Sequence, residues 1–478
     1  MTTQRGALKS ILSGAAALSS VGVLRLAMQF LSVPILARLL SPEDYGIAAI
    51  AMPIVLFVMV ITDAGISNSL IRLAEINSHV WHTCFWIMGA VGIVLAAALA
   101  ASAPLVSGAF DAPQLTPILV ALSSIIVLQS ITLVPGSALQ HQKRFAQIAG
   151  AELAAIVSSL GLAIALAYAG KGVWALIWQQ VAFYSVRAAL TWAFTPYRPA
   201  LVFAPGAARE HLAFGWNLLC ANLVSFLSRS ADNLIIGRVS GPAQLGIYAM
   251  AFQFARLPYM LVTGPLQAAL YPHLTQWKES KERLASAFLL ATRALASVIF
   301  PPVALVAAAS QPVFTLLLSE KWAAAAPVFT LLAIATATQA VRGVAVTFLM
   351  VLGRTDVQKV MSLQFSILWI SGLLLTVQHG ILAVSACYMG CVVAFSFWSL
   401  RNILPILGCG LFPYLKSLIQ PAAVSAAAVA AYVFVERAAN LGDVGLVATV
   451  ATLATIALAL GFLSQRGTIM RDINNIRV

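Results

Sequence analysis

Long apolar stretches, separated by short polar connections, dominate the pattern of this chain. About 20 mostly apolar residues are enough for one helix to cross a bilayer. Such stretches predict fourteen membrane-spanning helices, at residues 11–37, 45–62, 80–103, 117–139, 149–169, 172–194, 212–236, 245–270, 285–309, 325–351, 358–377, 380–400, 417–435 and 443–463. The pattern therefore predicts an all-α polytopic membrane protein, and the length of its first stretch favours a retained helix over a cleaved signal peptide.

Composition supports this class. Of the 478 residues, 61% are hydrophobic and only 9% are charged, which is too little charge for the surface of a soluble protein of this length. The net charge of +13 is therefore interpreted through membrane topology. The chain has no basic run with interleaved aromatic residues, so nucleic acid is not expected as a partner.

Lysine and arginine are distributed unevenly between the two sides that the fourteen helices define. Six of the 28 basic residues fall inside predicted helices, and one set of loops carries only Arg38, Lys171, Arg238, Lys321 and Arg437. The termini and the opposite loops carry all the others. An even number of helices and the positive-inside rule then place both termini in the cytoplasm.

Residue constellations typical of enzymes and metal sites are missing from the sequence. No nucleophile elbow, phosphate-binding loop or metal-spaced His and Cys set is present. Cys387 and Cys391 share a helix face without His or acidic neighbours, which favours a packing role. We therefore expect no catalytic residues, no metal and no cofactor.

A short motif occurs twice, 200 residues apart. Segments 37–51 and 237–251 align without a gap at Arg38/Arg238, Pro42/Pro242, Gly46/Gly246, Ile47/Ile247, Ala49/Ala249 and Ala51/Ala251. A second set, offset by 210, aligns Pro117/Pro327, Gln129/Gln339 and Arg144/Arg354. Both sets relate helices that are six apart, and an even shift predicts parallel repeats. The predicted layout is two six-helix lobes, 1–199 and 200–409, followed by two extra helices and a cytoplasmic tail at 410–478.

Ionisable residues inside predicted helices are the main functional candidates, because they are costly in a bilayer. The basic ones are Arg25, Arg187, Arg229, Arg256, Arg293 and Arg342. Three of them, Arg187, Arg293 and Arg342, lie toward cytoplasmic ends, where snorkelling to the headgroups is an equal alternative. Arg25 and Arg256 are predicted near the middle of their helices.

Two equivalent helices carry matching polar stripes. Residues Asn222, Ser225, Arg229 and Asp232 share one helix face, and so do Gly22, Arg25, Gln29 and Ser32. Such faces must contact protein or water, so a hydrated cavity is the favoured interpretation. The alternative is a buried structural network in which Arg229 and Asp232 pair one turn apart.

An excess of arginine over acidic residues predicts a cationic cavity for a phosphate-bearing cargo. The candidate substrate-binding residues are Arg25, Arg229, Arg256, Arg342, Gln29 and Asn222. The candidates for binding a coupling ion are Asp232, Glu152 and Asp63. For Asp63, a helix-end role is the alternative.

Several motifs resemble the polysaccharide exporter family. They are A-R-L-L-S-P-E-D-Y-G (37–46), T-D-A-G-I-S-N-S-L-I (62–71), Q-H-Q-K-R-F (140–145), K-G-V-W-A-L (171–176) and the segment 214–248 that ends in G-P-A-Q-L-G-I-Y. The resemblance is to Wzx-type, colanic-acid-exporter-like flippases of the multidrug/oligosaccharidyl-lipid/polysaccharide exporter superfamily, and it covers nearly the whole chain.

This resemblance implies a flippase that works by alternating access in the bacterial inner membrane. Its cargo would be an undecaprenyl-pyrophosphate-linked oligosaccharide repeat unit for exopolysaccharide or lipopolysaccharide biosynthesis. Coupling to H⁺ or Na⁺, and a polysaccharide polymerase and a chain-length regulator as partners, are further expectations. Two alternatives remain: a drug or cation antiporter of the same superfamily, which needs acidic residues in its cavity, and a membrane polymerase or ligase, which needs a large outer loop.

Overall fold

The computed structural model describes residues 22, 28, 32–63, 66–71, 79–264, 270–271, 274–277, 280–439 and 441–477. Within these ranges every regular element is a helix and none is a strand. The predicted first span at 11–37 lies almost wholly outside the described residues. An all-helical fold is what a bilayer demands of a chain that closes no β-barrel, since helices satisfy their own backbone groups.

The helices are labelled here in chain order. They are α1 Pro42–Asp63, α2 Ile66–Ile71, α3 His79–Ala109, α4 Leu115–His141, α5 Phe145–Tyr168, α6 Val173–Phe194, α7 Pro205–Ala255, α8 Lys281–Ala308, α9 Ser310–Leu318, α10 Ala325–Val351, α11 Thr355–Thr376, α12 Ile381–Ile403, α13 Leu411–Ala438 and α14 Asp443–Arg477. In the described part, eleven helices are long and apolar enough to cross a membrane. The short α2 and α9 are not spans, so the labels do not count spans, and the total of fourteen spans stays a prediction.

Two short breaks between helices occur where the sequence predicts them. Gly170 separates α5 from α6 with φ of 70°, and Gly380 separates α11 from α12 with φ of 88°. Positive φ is accessible to glycine without a steric penalty from Cβ. The chain can therefore reverse between two apolar helices within a few residues.

The predicted break between 212–236 and 245–270 is confirmed, and the course of the second span requires correction. No loop connects them: two helices meet within α7 at Gly241, which has φ of 81° and ψ of 169°. The α-helix then stops at Ala255, so Arg256 lies in a turn and not in mid-helix. A π-helix follows at Tyr259–Thr263. Pro258 explains the interruption, because proline has no N–H to donate and its ring clashes with the preceding helical turn.

Residues that are related by the offset of 210 also share a backbone conformation. Lys143 and Gly353 both have positive φ, 55° and 72°. The next residues, Arg144 and Arg354, directly precede α5 and α11 and have nearly equal dihedrals, φ/ψ of −80°/51° and −87°/50°. Each of these arginines donates its backbone N–H to the carbonyl five residues earlier, at 2.9 Å. The matched residues therefore occupy matched turns.

The chain divides into two compact units, Met1–Gly246 and Ile247–Val478. In the first unit α3 and α4 approach closely, since a Cβ on Gly92 would overlap the Oγ of Ser130. Small residues of this kind allow membrane helices to pack backbone to backbone. In the second unit α10 is much more buried than α14. Of the residues in its apolar stretch, 67% are buried, whereas 17% are buried in the apolar stretch of α14. The predicted lobe boundaries stay a prediction.

Hydrogen bonds join the connection after α6 to the start of α3. The side chain of Tyr197 is only 1% exposed, and its hydroxyl donates to the carbonyl of Trp81 at 3.2 Å. The backbone N–H of Ala200 donates to Nδ1 of His82 at 3.1 Å, and Nε1–H of Trp86 donates to the carbonyl of Ala200 at 2.9 Å. Burial raises the pKa of Tyr197 above its ordinary value, so the hydroxyl keeps the proton that it donates.

Replacing Tyr197 by Ala should destabilise the first unit. The ring packs against Trp81, His82 and Phe85, and removal of a buried aromatic side chain costs roughly 3 kcal/mol or more. The thermal unfolding midpoint in detergent measures the effect. Tyr168→Ala is the matched control, because Tyr168 is 72% exposed. Equal unfolding midpoints for the two variants would contradict the proposed contribution of Tyr197 to the stability of the first unit.

Candidate functional site

The described part of the chain contains only some of the predicted binding residues. Arg25 and Gln29 lie outside it, as does the side chain of Arg229. On the two predicted stripes, Ser32 and Asp232 are buried and Asn222 is exposed. A cavity between the two stripes therefore remains a prediction.

The three acidic candidates have different surroundings. Asp63 ends α1, and its Oδ1 accepts a hydrogen bond from the hydroxyl of Ser67 in α2 at 2.7 Å. Asp232 is a buried carboxylate whose Oδ1 accepts from the N–H of Asn233 at 2.9 Å. The contact of Asp63 with Ser67 joins the end of α1 to the start of α2. This agrees with the helix-end role that the sequence analysis gave as the alternative to ion binding. Coupling-ion binding at either residue stays a prediction.

Glu152 pairs with Arg187 between two neighbouring helices. Oε2 of Glu152 in α5 lies 3.8 Å from Nε of Arg187 in α6, and the side chains are 20% and 37% exposed. The pair brings together one candidate acid and one arginine for which snorkelling to the headgroups was an equal alternative. Each charge lowers the cost of the other in an apolar setting.

Arg342 is a cation without a carboxylate partner in the described part of the chain. It lies in α10 and its guanidinium carbon is 5.5 Å from the ring centroid of Phe395. Its Nε is buried and has no hydrogen-bond partner among the described residues. Tyr259, Tyr388 and Tyr414 lie in its neighbourhood. A buried guanidinium N–H without an acceptor is energetically costly.

Arg256 has a similar partner but a more open position. Its side chain is exposed, and its guanidinium carbon is 5.5 Å from the ring centroid of Phe252, one turn earlier. No carboxylate within ion-pair distance of Arg256 is found in the described ranges. The following π-helix at Tyr259–Thr263 is a type of distortion that is frequent at functional sites.

Both arginines contact one aromatic cluster in the second unit, formed by Phe252, Phe365, Trp369, Tyr388 and Phe395. Tyr388 lies 5.6 Å from Phe252, 4.7 Å from Trp369 and 6.5 Å from Phe365, between ring centroids. Phe365 in turn lies 5.2 Å from Phe395. Arg256 and Arg342 thus contact two different rings of this cluster, Phe252 and Phe395.

The sequence analysis identified both arginines and missed the aromatic cluster. The spacing of Phe252 and Arg256, four residues apart at the end of α7, was a usable signal because residues one helical turn apart are neighbours. Phe395 gave no comparable signal, since it belongs to another helix. In the described ranges, no group of three or more His, Cys, Asp or Glu side chains could hold a metal ion. The arrangement can bind anions through two cations that no carboxylate of the described ranges neutralises.

Comparison with known proteins gives the family. Residues 35–327 match the profile of a family described as polysaccharide biosynthesis protein. The succinoglycan biosynthesis transport protein ExoT of Rhizobium meliloti (strain 1021) is 29% identical over 309 residues, which are 64% of this chain and 62% of that protein. The match thus spans less than two thirds of ExoT. The lipopolysaccharide biosynthesis protein WzxC of Escherichia coli (strain K12) is 23% identical over 418 residues, covering 86% of this chain and 84% of that protein.

A solved structure shares the fold. The lipid II flippase MurJ in an inward closed conformation aligns with a TM-score of 0.76 and 12% sequence identity, covering 96% of this chain and 100% of that one. At this identity the likeness concerns the fold alone. Because the family profile covers more than half of the sequence, this multi-pass membrane protein belongs to the polysaccharide biosynthesis protein family, as the resemblance of its motifs predicts.

Proposed function

We propose that this protein is a flippase that moves an undecaprenyl-pyrophosphate-linked oligosaccharide repeat unit across the bacterial inner membrane. The observation that carries the proposal is the pair of arginines, Arg256 and Arg342, that contact aromatic rings and no described carboxylate. The names of the relatives, which belong to polysaccharide biosynthesis and transport, support the pathway. The exported unit would serve exopolysaccharide or lipopolysaccharide biosynthesis.

A pyrophosphate group is the kind of anion that these arginines suit. Guanidinium groups donate two parallel hydrogen bonds to phosphate oxygens. The buried Nε of Arg342 lacks an acceptor among the described residues, and a phosphate oxygen would supply one. The interaction between opposite charges is also stronger in a setting of low dielectric constant than in water.

The aromatic cluster explains how the positive charges stay available. A carboxylate beside Arg256 or Arg342 would stabilise the guanidinium but would also cancel its charge. A ring face stabilises a cation by about 0.5–2 kcal/mol and leaves the net charge unchanged. Phe252 and Phe395 therefore hold the two cations in a state that still attracts an anionic cargo.

The remaining candidate residues complete the proposal. Arg25, Arg229, Gln29 and Asn222 would add contacts to the same cargo from the two polar stripes. The lipid tail would stay in the bilayer while the sugars cross by alternating access. Coupling to H⁺ or Na⁺ would use one of the acidic candidates. For Glu152, proton uptake would release Arg187 from the observed ion pair.

Two other functions are less well supported. A cation or drug antiporter needs negative charge for its cargo, whereas Glu152 is paired with Arg187. A polysaccharide polymerase or ligase needs catalytic side chains, and the relatives are named for transport and biosynthesis. We further propose that both termini are cytoplasmic, and that the polymerase and chain-length regulator of the same pathway act as partners.

Replacing both Arg256 and Arg342 by Ala should reduce polymer export at least about tenfold, because each lost phosphate contact weakens cargo binding and 1.4 kcal/mol corresponds to a factor of ten. The assay is surface polysaccharide in a deletion strain complemented with each variant, with membrane levels of the protein checked by immunoblot. Lys at both positions should restore part of the export, since it keeps the charge but loses the bidentate geometry.

Arg401→Ala is the control for this experiment, because Arg401 is an exposed arginine in the last turn of α12. A strain that carries this variant should export polymer normally. Normal export by the double Ala variant would contradict the proposed anion site.

Replacing Glu152 by Gln should lower the unfolding midpoint, because Arg187 is then left unpaired. Replacing both residues by Gln should cost less than the sum of the single changes. We expect a coupling free energy of up to about 1 kcal/mol, in the range of partly exposed ion pairs. A double-mutant cycle of detergent unfolding measures it, and strictly additive effects would contradict the pairing.

A reporter fused after the last residue should be cytoplasmic if the topology is correct. Green fluorescent protein fused there should fluoresce, and alkaline phosphatase fused there should be inactive, because the positive-inside rule places the termini in the cytoplasm. The opposite pattern would overturn the even number of spans.

A further inference from the structure

The connection between α6 and α7, residues 195–204, presents two large apolar side chains. Leu201 is 92% exposed and Phe203 is 65% exposed. Among the large hydrophobic residues of the described ranges, Leu201 has the highest exposed fraction. Exposed apolar groups close together on a surface commonly mark a contact with a membrane or a partner. We call this segment the 195–204 loop.

Hydrogen bonds fix the backbone of this loop on both sides of the apolar pair. The N–H of Ala200 donates to Nδ1 of His82 at 3.1 Å, and the carbonyl of Ala200 accepts from Nε1–H of Trp86 at 2.9 Å. The N–H of Ala204 donates to Oγ1 of Thr83 at 3.0 Å. The two apolar side chains lie between these fixed points. A loop that is already ordered loses little conformational entropy when it binds.

Two arginines are held beside the start of the loop. Nη1 of Arg144 donates to the carbonyl of Phe194 at 3.2 Å, and Nη1 of Arg198 donates to the carbonyls of Thr195 and Tyr197, both at 2.8 Å. The guanidinium groups therefore bind adjacent carbonyls at the C-terminal end of α6, where the helix dipole favours cations. No carboxylate of the described ranges lies within ion-pair distance of either group.

The second copy of the repeat shows the same arginine neutralised. Arg354, the counterpart of Arg144, donates to both carboxylate oxygens of Asp356, at 3.2 and 3.4 Å. With the offset of 210, the counterpart of Asp356 is Ala146, which is exposed. The first copy thus lacks the carboxylate, and the charge of Arg144 stays available to another anion. Guanidinium groups suit phosphate in particular.

The surroundings of the loop are those of a membrane interface. Trp86, which donates to the loop, is 40% exposed, and tryptophan is enriched at the level of the lipid headgroups. Cationic groups next to apolar side chains are the combination by which proteins bind to anionic membrane surfaces. A phospholipid satisfies both, because its phosphate is anionic and its chains are apolar. A soluble anion would leave Leu201 and Phe203 exposed to water.

We infer that the 195–204 loop and Arg144 form a binding site for an anionic phospholipid of the inner leaflet. Arg144 and Arg198 bind the phosphate, and Leu201 and Phe203 contact the acyl chains. The assignment to the inner leaflet follows from the predicted topology. None of these residues belongs to the proposed cargo site, so the inference does not depend on the proposed function.

The first test supplies the missing carboxylate. The purified full-length protein in detergent is titrated with phosphatidylglycerol, and the bound lipid is measured by native mass spectrometry. Ala146→Asp should weaken binding about fivefold, which is the contribution of one basic residue near an anionic surface, because the new carboxylate would pair with Arg144. An acidic residue in the first turn of α5 also suits the helix dipole, so the variant should fold.

Ala146→Asn is the matched control, because it has the same shape without the charge, and it should bind the lipid like the unmodified protein. Unchanged binding by Ala146→Asp would overturn the site. Equal binding of phosphatidylcholine and phosphatidylglycerol would also overturn it. Inorganic phosphate should not displace the lipid at equal concentration, and displacement would overturn the assignment to a phospholipid.

The second test measures the depth of the apolar pair in vesicles of equal parts phosphatidylcholine and phosphatidylglycerol. In a background without native cysteines, a nitroxide on Leu201→Cys or Phe203→Cys should be relaxed more by oxygen, which concentrates among acyl chains, than by a water-soluble nickel complex. Asp356→Cys is the control, since the side chain of Asp356 is 66% exposed, and it should show the reverse order. Stronger relaxation by nickel at both loop positions would overturn the lipid site in favour of a soluble partner.

Discussion

The bilayer permits a polar or charged group inside it only where the protein supplies a compensating group, and this constraint organises the chain. It makes the described part of the fold entirely helical and keeps charged residues to 9% of the sequence. Among the described residues, Arg187, Arg256 and Arg342 each have a neighbouring group that stabilises the cation. The kind of compensation that surrounds each arginine separates structural roles from proposed functional ones.

Two kinds of compensation are found. Arg187 has a carboxylate, Glu152, at 3.8 Å, and the pair is close to neutral as a whole. Arg256 and Arg342 have aromatic rings at 5.5 Å, which stabilise a cation and leave its charge available. The proposed cargo site has this second kind of compensation. Both of its cations contact the same aromatic cluster.

The sequence predicted the parts of the fold that depend on local composition. Apolar length gave the helices, and glycine gave the breaks at Gly170 and Gly380, where φ is positive. The duplication was visible from Arg144 and Arg354, whose backbone turns match. Pro258 is a local signal for the interruption just after Arg256, whereas the sequence analysis placed Arg256 itself near the middle of a helix.

Contacts between distant residues were not predictable in the same way. The packing of Arg342 on Phe395 depends on how α10 and α12 meet, which no spacing within one helix encodes. The repeat drew attention to Gly46 and Gly246, but only the structure shows that the two copies of the motif contact each other, since a Cβ on Gly46 would overlap the carbonyl oxygen of Pro242. The identical residues are thus explained by their contact as well as by duplication.

The central claim is most directly tested with the purified protein in liposomes. The cargo would be undecaprenyl pyrophosphate carrying a fluorescent oligosaccharide, placed in both leaflets, with an impermeant quencher added outside. A flippase should make the inner-leaflet pool accessible to the quencher, with the mass of the lipid-linked oligosaccharide unchanged. Quenching that stops at the outer-leaflet pool, as in protein-free liposomes, or a changed mass of the product, would contradict the assignment.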